Sequence, residues 1–277
     1  MKKVILLATV LALCGVTGLA SAADGEIGVD ASVSYVTKYI WRGFDRLDDA
    51  AAVQPSVNLD LGNGFYANVW MSYAGTSGRT DPAVPTSGRV NFTEYNYTFG
   101  YANSMCEGES WQTDYAVNWM YYDFIDMPSD VIDMQEINAT FAWPNIIGNG
   151  ITPSYTIIRM WTSEGSATYN DASGWIHVVG LEYDFTIDGF TPDNPEQTIK
   201  LFADATYNDG TGLNTENLLG VADQIDHDWS HLKYGAAAPM KLGNGTLTPA
   251  IYYQTSMEDT VNDEDEFWGG ITYALSF

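Results

Sequence analysis

The chain has 277 residues, with 36 Asp or Glu against 11 Lys or Arg, and a formal net charge of −25 at pH 7. This acidity excludes nucleic acid as a partner class, because phosphate contacts require Lys and Arg. An acidic chain can be disordered, but 14% of these residues are aromatic, so the protein has a large apolar surface to keep from water.

The first 22 residues have the pattern of a cleaved secretory signal. Two lysines precede an apolar stretch over residues 4–13, and a triplet of small residues follows at 20–22. We expect cleavage after Ala22. A retained membrane anchor is the alternative, but the apolar stretch is shorter than the roughly 20 residues that a spanning helix needs. The mature chain, residues 23–277, then forms a single domain, with Cys106 as its one cysteine and no intrachain disulfide.

From residue 27 onward the sequence alternates between apolar and polar residues. In residues 27–41 (IGVDASVSYVTKYIW) one parity holds mainly aliphatic and aromatic residues, and the other holds Asp, Ser and Lys. A period of two predicts a strand with one apolar and one polar face. The mature sequence has no apolar run of about 18 residues, so it predicts no transmembrane helix. Together with the first segment, the pattern predicts twelve strands, the others lying near 53–61, 65–73, 93–101, 111–121, 136–143, 151–157, 175–185, 199–207, 231–238, 247–254 and 267–277.

The links between these segments alternate in length. Three short links are near copies: LGNG at 61–64, IGNG at 147–150 and LGNG at 242–245. Asn-Gly pairs suit tight hairpins because both residues tolerate positive φ. Longer polar links lie at 43–51, 75–89, 123–131, 162–173, 208–228 and 257–265. This predicts an all-β, antiparallel transmembrane β-barrel with short periplasmic turns, longer extracellular loops and both termini on the periplasmic side.

A soluble β-sandwich also alternates, and it is the alternative for each strand taken singly. Three features favour the membrane barrel: strands of about ten residues, as a tilted bilayer span requires, an inward parity that is polar throughout, and aromatic residues near strand ends that would form two interfacial girdles. The expected girdle residues are Tyr39, Trp41, Trp119, Tyr121, Trp143 and Trp175.

The last strand carries a further signal. Tyr273, Leu275 and Phe277 alternate up to the final residue, in a pattern similar to the C-terminal signal by which outer-membrane proteins are recognised for insertion. We therefore expect these side chains to face lipid, and the strand to close the barrel against the one that begins near Ile27. A closed barrel leaves no edge strand unpaired.

Two segments, VSYVTKYIWRGFD (33–45) and AAVQPSVNLDLGNGFYANVW (51–70), carry a resemblance to a known family. The shared features are an aromatic-Arg-Gly motif, a Gln-Pro entry to strand two and a Gly-Phe-Tyr entry to strand three. Here they are Trp41-Arg42-Gly43, Gln54-Pro55 and Gly64-Phe65-Tyr66. In these features the chain resembles the TorF-like porin family of proteobacteria and relatives, and DWSHLKYG at 228–235 also fits. The resemblance implies a Gram-negative outer-membrane barrel of porin type, and it does not indicate the solute.

Parity assigns many charged residues to the wall that faces the lumen. The expected lumen-lining residues are Lys38, Arg42, Asp60, Glu94, Asp114, Glu136, Glu182, Asp184, Lys200, Asp204, His231 and Lys233. Acids outnumber bases, and a charged ring selects ions of opposite sign, so we predict a narrow channel that prefers cations or passes neutral solutes. The alternative is that the charges pair across the lumen and fill it, for example Arg42 or Lys38 with Glu94.

The sequence predicts no catalytic residue, cofactor or specific metal site. Acidic loop runs such as 262–266 lack the twelve-residue EF-hand spacing, and no Gly-x-Ser-x-Gly motif is present. His177 has outward parity, and Ser230 is expected on the face opposite His231, so that the two do not pair. A barrel hydrolase and a non-conducting structural or adhesin barrel stay open as alternatives.

The expected partners follow from the barrel. They are outer-membrane lipid and lipopolysaccharide, the barrel-assembly machinery, and small solutes or cations. The sequence leaves open whether barrels associate into homo-oligomers.

Overall fold

The computed structural model describes residues 27–74, 92–164, 173–191, 194–211, 227–257 and 264–277. The predicted signal peptide, all of the link at 75–89, and the middle of the links at 162–173, 208–228 and 257–265 lie outside these ranges. The strands of the described residues are β1 (Gly28–Val36), β2 (Ile40–Trp41), β3 (Phe44–Asp45), β4 (Ala52–Gly62), β5 (Phe65–Ala74), β6 (Glu94–Met105), β7 (Thr113–Phe124), β8 (Met134–Ala142), β9 (Ile151–Thr162), β10 (Gly174–Thr191), β11 (Asn194–Asp209), β12 (His227–Ala237), β13 (Met240–Leu242), β14 (Gly245–Ser256) and β15 (Glu266–Ser276).

One short helix, α1 (Ser129–Ile132), follows β7. Across the described ranges, no helix is both long enough and apolar enough to cross a bilayer.

Twelve of these strands form a closed antiparallel barrel. Each barrel strand pairs with its neighbour in the chain, and β12 pairs with β14 past the short strand β13. The ring closes where β1 lies beside β15, in a register that sets Val33 opposite Tyr273 and Ala31 opposite Leu275. The Phe277 amide continues this ladder by donating to the Val29 carbonyl at 2.9 Å. The predicted twelve-strand barrel and its closure by the C-terminal strand are confirmed.

The short turns gather at one end of the barrel and the long links at the other. In the turn between β4 and β5, Gly62, Asn63 and Gly64 have φ values of 81°, 55° and 87°, which explains why this turn uses glycine and asparagine. Asn149 has a φ of 55° in the link between β8 and β9. Below, the two ends are called the short-turn end and the long-loop end.

The outer face of the barrel is apolar. Side chains such as Val69, Phe99, Leu181 and Ile251 are between 45% and 56% exposed, and they alternate with less exposed inward residues. Burial of these groups from water requires an apolar environment around the barrel. Among the predicted girdle residues, Trp119 and Trp175 lie on this face with about two fifths of their surface exposed.

Tyr39 and Trp41, however, do not belong to a girdle. Strand β1 ends at Val36, and the chain then leaves the wall and folds into the lumen. Tyr39 is 7% exposed and packs against the Trp70 ring, with ring centroids 5.7 Å apart. The β2–β3 hairpin turns at Arg42 and Gly43, whose φ values of 49° and 93° suit a tight two-residue turn. Residues 37–51 are called the inward loop below.

The sequence predicted an inward wall that is polar throughout, and this prediction is wrong. Near the long-loop end, inward positions carry buried apolar side chains that pack against Tyr39, Phe44 and Leu47 of the inward loop. These wall residues are Met120, Tyr122, Phe124, Met134, Ile158, Met160 and Ile176. An apolar cluster therefore fills part of the lumen, and its physical cause is the inward loop, which shields these positions from water.

Candidate functional site

The inward loop is fixed to the barrel wall by a buried ion pair. Arg42 Nη2 donates to Glu136 Oε2 at 2.6 Å, and the Glu136 side chain is only 1% exposed. Tyr122 also donates to Oε2, at 2.9 Å, while Asn138 donates to Oε1, at 2.9 Å. A buried carboxylate is stable only when it is paired and hydrogen-bonded, and both conditions are met here. Arg42 and Glu136 therefore join the tip of the loop to β7 and β8.

Arg46 holds the loop through aromatic rings. Its guanidinium carbon lies 4.9 Å from the Trp41 ring centroid, 5.0 Å from that of Phe92 and 5.4 Å from that of Phe124. The side chain is 8% exposed, so these cation–π contacts act in a largely desolvated setting, where they are strongest. Arg46 thus links the loop to β7 and to the segment that precedes β6.

Tyr39 anchors the start of the loop to β6. Its hydroxyl donates to Glu94 Oε2 at 3.0 Å, and Asn96 Nδ2 donates to the other oxygen at 2.9 Å. Burial raises the pKa of the Tyr39 hydroxyl well above its ordinary value, so this group stays a donor at every physiological pH.

Lys38 anchors the loop on the opposite side. Its ammonium contacts Asp49 and lies 2.8 Å from Glu266 Oε2 on β15. Hydrogen bonds with Asp49 and Glu266 raise the pKa of Lys38. Asp45, Asp49 and Glu266 place carboxylate oxygens within 4.8 Å of one another. Lys38 supplies one positive charge against these three carboxylates.

Gln254 completes the set of contacts across the barrel. It is fully buried on β14, and its Nε2 donates to the Gly43 carbonyl at the loop tip, at 2.9 Å. The loop is therefore bound to β6, β7, β8, β14 and β15 at once, and it narrows the lumen.

A cavity of about 300 Å³ adjoins the inward loop in the lumen. Trp41 and Arg42 of the loop form one boundary, and the other walls combine aromatic rings and neutral polar groups with the charged side chains of Asp204 and Lys233. The aromatic lining residues include Trp70, Tyr122, Tyr252 and Trp268, and the neutral polar ones include Gln54, Asn68, Asn96, Thr98, Ser154, Thr156 and Thr206.

A second packed region lies on the wall formed by β5 to β8. Tyr66 is fully buried, and its ring lies over Gly100, where an added Cβ would come within 2.5 Å of the ring. Asn118 donates to the Tyr66 hydroxyl at 3.1 Å, and its amide exchanges two 2.8 Å hydrogen bonds with Asn138. Only glycine at position 100 leaves room for this arrangement, which further reduces the open cross-section.

The predicted lumen charges are largely satisfied by neighbours. Lys233 lies 3.2 Å from Asp204 Oδ2, and Lys200 lies 3.1 Å from Asp184 Oδ2. The sequence suggested that Arg42 or Lys38 could pair with Glu94. In the structure Arg42 pairs with Glu136, and Lys38 pairs with Glu266.

Of the other predicted acids, Asp114 and Asp60 accept hydrogen bonds from neutral groups, and Glu182 is largely buried. Asp114 accepts from Ser104 at 2.6 Å and from Gln112 at 2.9 Å. Asp60 accepts the Gly62 amide in a turn at the short-turn end, at 2.8 Å. Glu182 is 8% exposed.

Ser230 and His231 contradict the expectation that they lie on opposite faces. The register between β11 and β12 shifts at this point, with Thr206 opposite His231 and Tyr207 opposite Trp229. This bulge leaves Ser230 without a partner across the ladder and turns its hydroxyl to within 2.9 Å of His231 Nδ1, with both residues buried. Within the described ranges, no carboxylate is hydrogen-bonded to His231, so the pair lacks the acid that orients a catalytic histidine.

His177 lies on the outward parity of β10, as expected. Its Nδ1 is 2.7 Å from the Tyr155 hydroxyl, and its Nε2 is 3.7 Å from Asp209. Asp209 is in turn 2.6 Å from His227 Nδ1. These contacts join four neighbouring strands, β9 to β12, near the long-loop end.

Sequence reasoning missed Arg46, Trp70, Gln254, Glu266 and Trp268. Parity places Trp70 and Gln254 on the inward face, since each alternates with apolar outward neighbours. Arg46 carries no such signal, because it lies outside any strand.

Solved structures with a similar fold are outer-membrane proteins. The COG4313 outer membrane channel from Pseudomonas putida F1 has a TM-score of 0.53 and 10% identity, over 94% of this chain and all of that one. The NanC porin has a TM-score of 0.50 and 9% identity, over 89% of this chain and 98% of that one. No curated protein matches the sequence. The model of the Gcw_chp family, bacterial proteins of unknown function, matches residues 20–177, which is more than half of the chain, and the protein belongs to this family.

Proposed function

We propose that this protein is an outer-membrane channel of porin type, through which small solutes diffuse passively. The observation that carries the proposal is the closed barrel with an apolar exterior around a polar, cavity-bearing lumen. The TorF-like resemblance of residues 33–70 and the fold shared with an outer-membrane channel support it. The short turns would face the periplasm, lipopolysaccharide would surround the long-loop end, and the C-terminal strand would be read by the barrel-assembly machinery. The proposal involves no catalytic step.

The inward loop would set the size and charge preference of the channel. Around it, Lys38, Arg42 and Arg46 meet a larger number of carboxylates, namely those of Asp45, Asp49, Glu94, Glu136 and Glu266. An excess of negative charge at a constriction disfavours anions. We therefore propose a narrow channel for neutral solutes and small cations.

Planar-bilayer recording tests this proposal. The purified full chain should give discrete single-channel steps, and a salt gradient should give a reversal potential of the sign expected for cations. A matched preparation in which Asp49, whose side chain is 71% exposed, is changed to Asn removes one of these carboxylates without changing its size, and it should lower the preference for cations. Absence of channel steps, or preference for anions, would overturn the proposal.

A further inference from the structure

The lumen cavity contains polar atoms that lack partners. Asn96 and Thr98 line it from β6 and are 7% and 4% exposed. In the part of the chain that the structure describes, Asn96 Oδ1 and Thr98 Oγ1 have no hydrogen-bond partner, although Asn96 Nδ2 binds Glu94. Buried polar atoms are nearly always satisfied. These two atoms therefore point to a ligand with hydroxyl groups, which both donate and accept.

Aromatic rings flank these atoms. Trp70 lies directly opposite Asn96 in the β5–β6 register, and both residues line the cavity. Tyr252 of β14 and Trp268 of β15 also line the cavity, and their rings stack on each other with centroids 5.1 Å apart and planes only 11° from parallel. In this pair, called the Tyr252–Trp268 panel, each ring covers one face of the other. The negative face of an aromatic ring attracts the polarised C–H groups of a sugar ring. The cavity thus offers apolar platforms beside hydrogen-bonding groups.

Each of the three cations Lys38, Arg42 and Lys233 that line the cavity is paired with a carboxylate. Lys233 is paired with Asp204, Arg42 with Glu136 and Lys38 with Glu266. A charged ligand would have to break one of these pairs, and removing one partner of a buried pair is costly. The pairing therefore favours an uncharged ligand. The volume of about 300 Å³ lies at the small end of the range for ligand sites, roughly 300–1,000 Å³.

We propose that this cavity binds an uncharged sugar of one or two rings. The ring stacks on the Trp70 side or on the Tyr252–Trp268 panel, and its hydroxyls bond to Asn96 Oδ1 and Thr98 Oγ1. The role of this site in solute passage rests on the proposed channel function, whereas sugar binding by the cavity does not.

Calorimetric titration of the full barrel with maltose and glucose tests the inference, in an amine-oxide detergent because its headgroup carries no sugar. Asn96→Leu and Thr98→Val each remove one unpartnered polar group, and each should weaken binding about three- to ten-fold. The matched control is Asn58→Leu. Asn58 is 2% exposed and has two unpartnered polar atoms among the described residues, but it does not line the cavity, so binding should stay unchanged.

Three results would overturn the inference: no saturable binding of either sugar, equal weakening in Asn58→Leu, or tighter binding of the charged probes galacturonate or choline. The two proposals fail separately. Channel steps without sugar binding would support the proposed channel and refute the proposed sugar site. Sugar binding without channel steps would support the proposed sugar site and refute the proposed channel.

Discussion

Replacing Arg42 with methionine should release the tip of the inward loop. The change leaves the Glu136 carboxylate, 1% exposed, with two neutral donors, Tyr122 and Asn138. Breaking a buried ion pair by removing one partner costs about 3–5 kcal/mol. Because two donors remain and the Arg42 side chain is 16% exposed, we expect the lower end, about 3 kcal/mol, in the free energy of unfolding.

Urea titration in lipid vesicles measures this loss, and bilayer recording on the same variant should show higher or noisier single-channel conductance. The double variant Arg42→Met with Glu136→Gln removes both charges and should recover to within about 1 kcal/mol of the parent protein. Lys200→Met is the control, since its pair with Asp184 is more exposed and should be worth no more than about 1 kcal/mol. If Arg42→Met costs no more than Lys200→Met and leaves conductance unchanged, the loop is not held by this pair.

Three further changes test the loop and the barrel seam. Gly43→Ala should cost about 1 kcal/mol in the free energy of unfolding, because φ is 93° there and only glycine adopts it freely; an unchanged urea midpoint would contradict this. The pKa of Lys38 is raised above its ordinary value of 10.5, so its stabilising contribution is complete below that pH and is lost only in stronger alkali. Channel conductance should therefore stay constant between about pH 6 and 9 for this group, and Lys38→Met should alter it throughout; a transition inside that window that Lys38→Met abolishes would refute the assignment. Deleting Phe277 removes the Phe277–Val29 backbone bonds and should lower the heat-modifiable, membrane-inserted fraction on gels, whereas Ser276→Ala should not.

The sequence predicts the barrel wall well because a single physical rule governs it. A strand between lipid and lumen must alternate, and the Asn-Gly turns mark where it reverses, so β4 and β5 were placed close to their observed bounds, whereas β9 begins as predicted at residue 151 but extends five residues further, to Thr162. The rule fails at Tyr39 and Trp41, where alternation continues although the strand has ended at Val36. Parity gives the face of a residue only while that residue belongs to the wall, and a barrel offers aromatic side chains two apolar places, the lipid and a shielded lumen.

The candidate site was harder to predict than the wall. One extra residue in β12 reverses the parity of Ser230, and nothing in the local sequence marks this bulge. The partners of Arg42 and Lys38 lie 94 and 228 residues away along the chain, so the predicted list of inward charges includes Glu136 but not Glu266, and it does not give the pairing. The pairing matters because paired charges hold the loop and narrow the lumen, whereas the carboxylates left in excess carry the charge preference that we propose.

The packing of the inward loop argues that it is a permanent constriction and not a gate that opens by thermal fluctuation. Tyr39, Phe44 and Leu47 are each less than 8% exposed, and exposing such side chains to water costs roughly 1.5–3 kcal/mol each. Together they amount to roughly 4.5–9 kcal/mol, before the Arg42 and Arg46 contacts are added. Since each 1.4 kcal/mol is a factor of about ten, a loop swung out of the lumen would be populated at less than about one part in a thousand. In the channel that we propose, solutes would pass beside the closed loop, through the space that the cavity occupies, and the chemistry of that cavity would set which solutes do so.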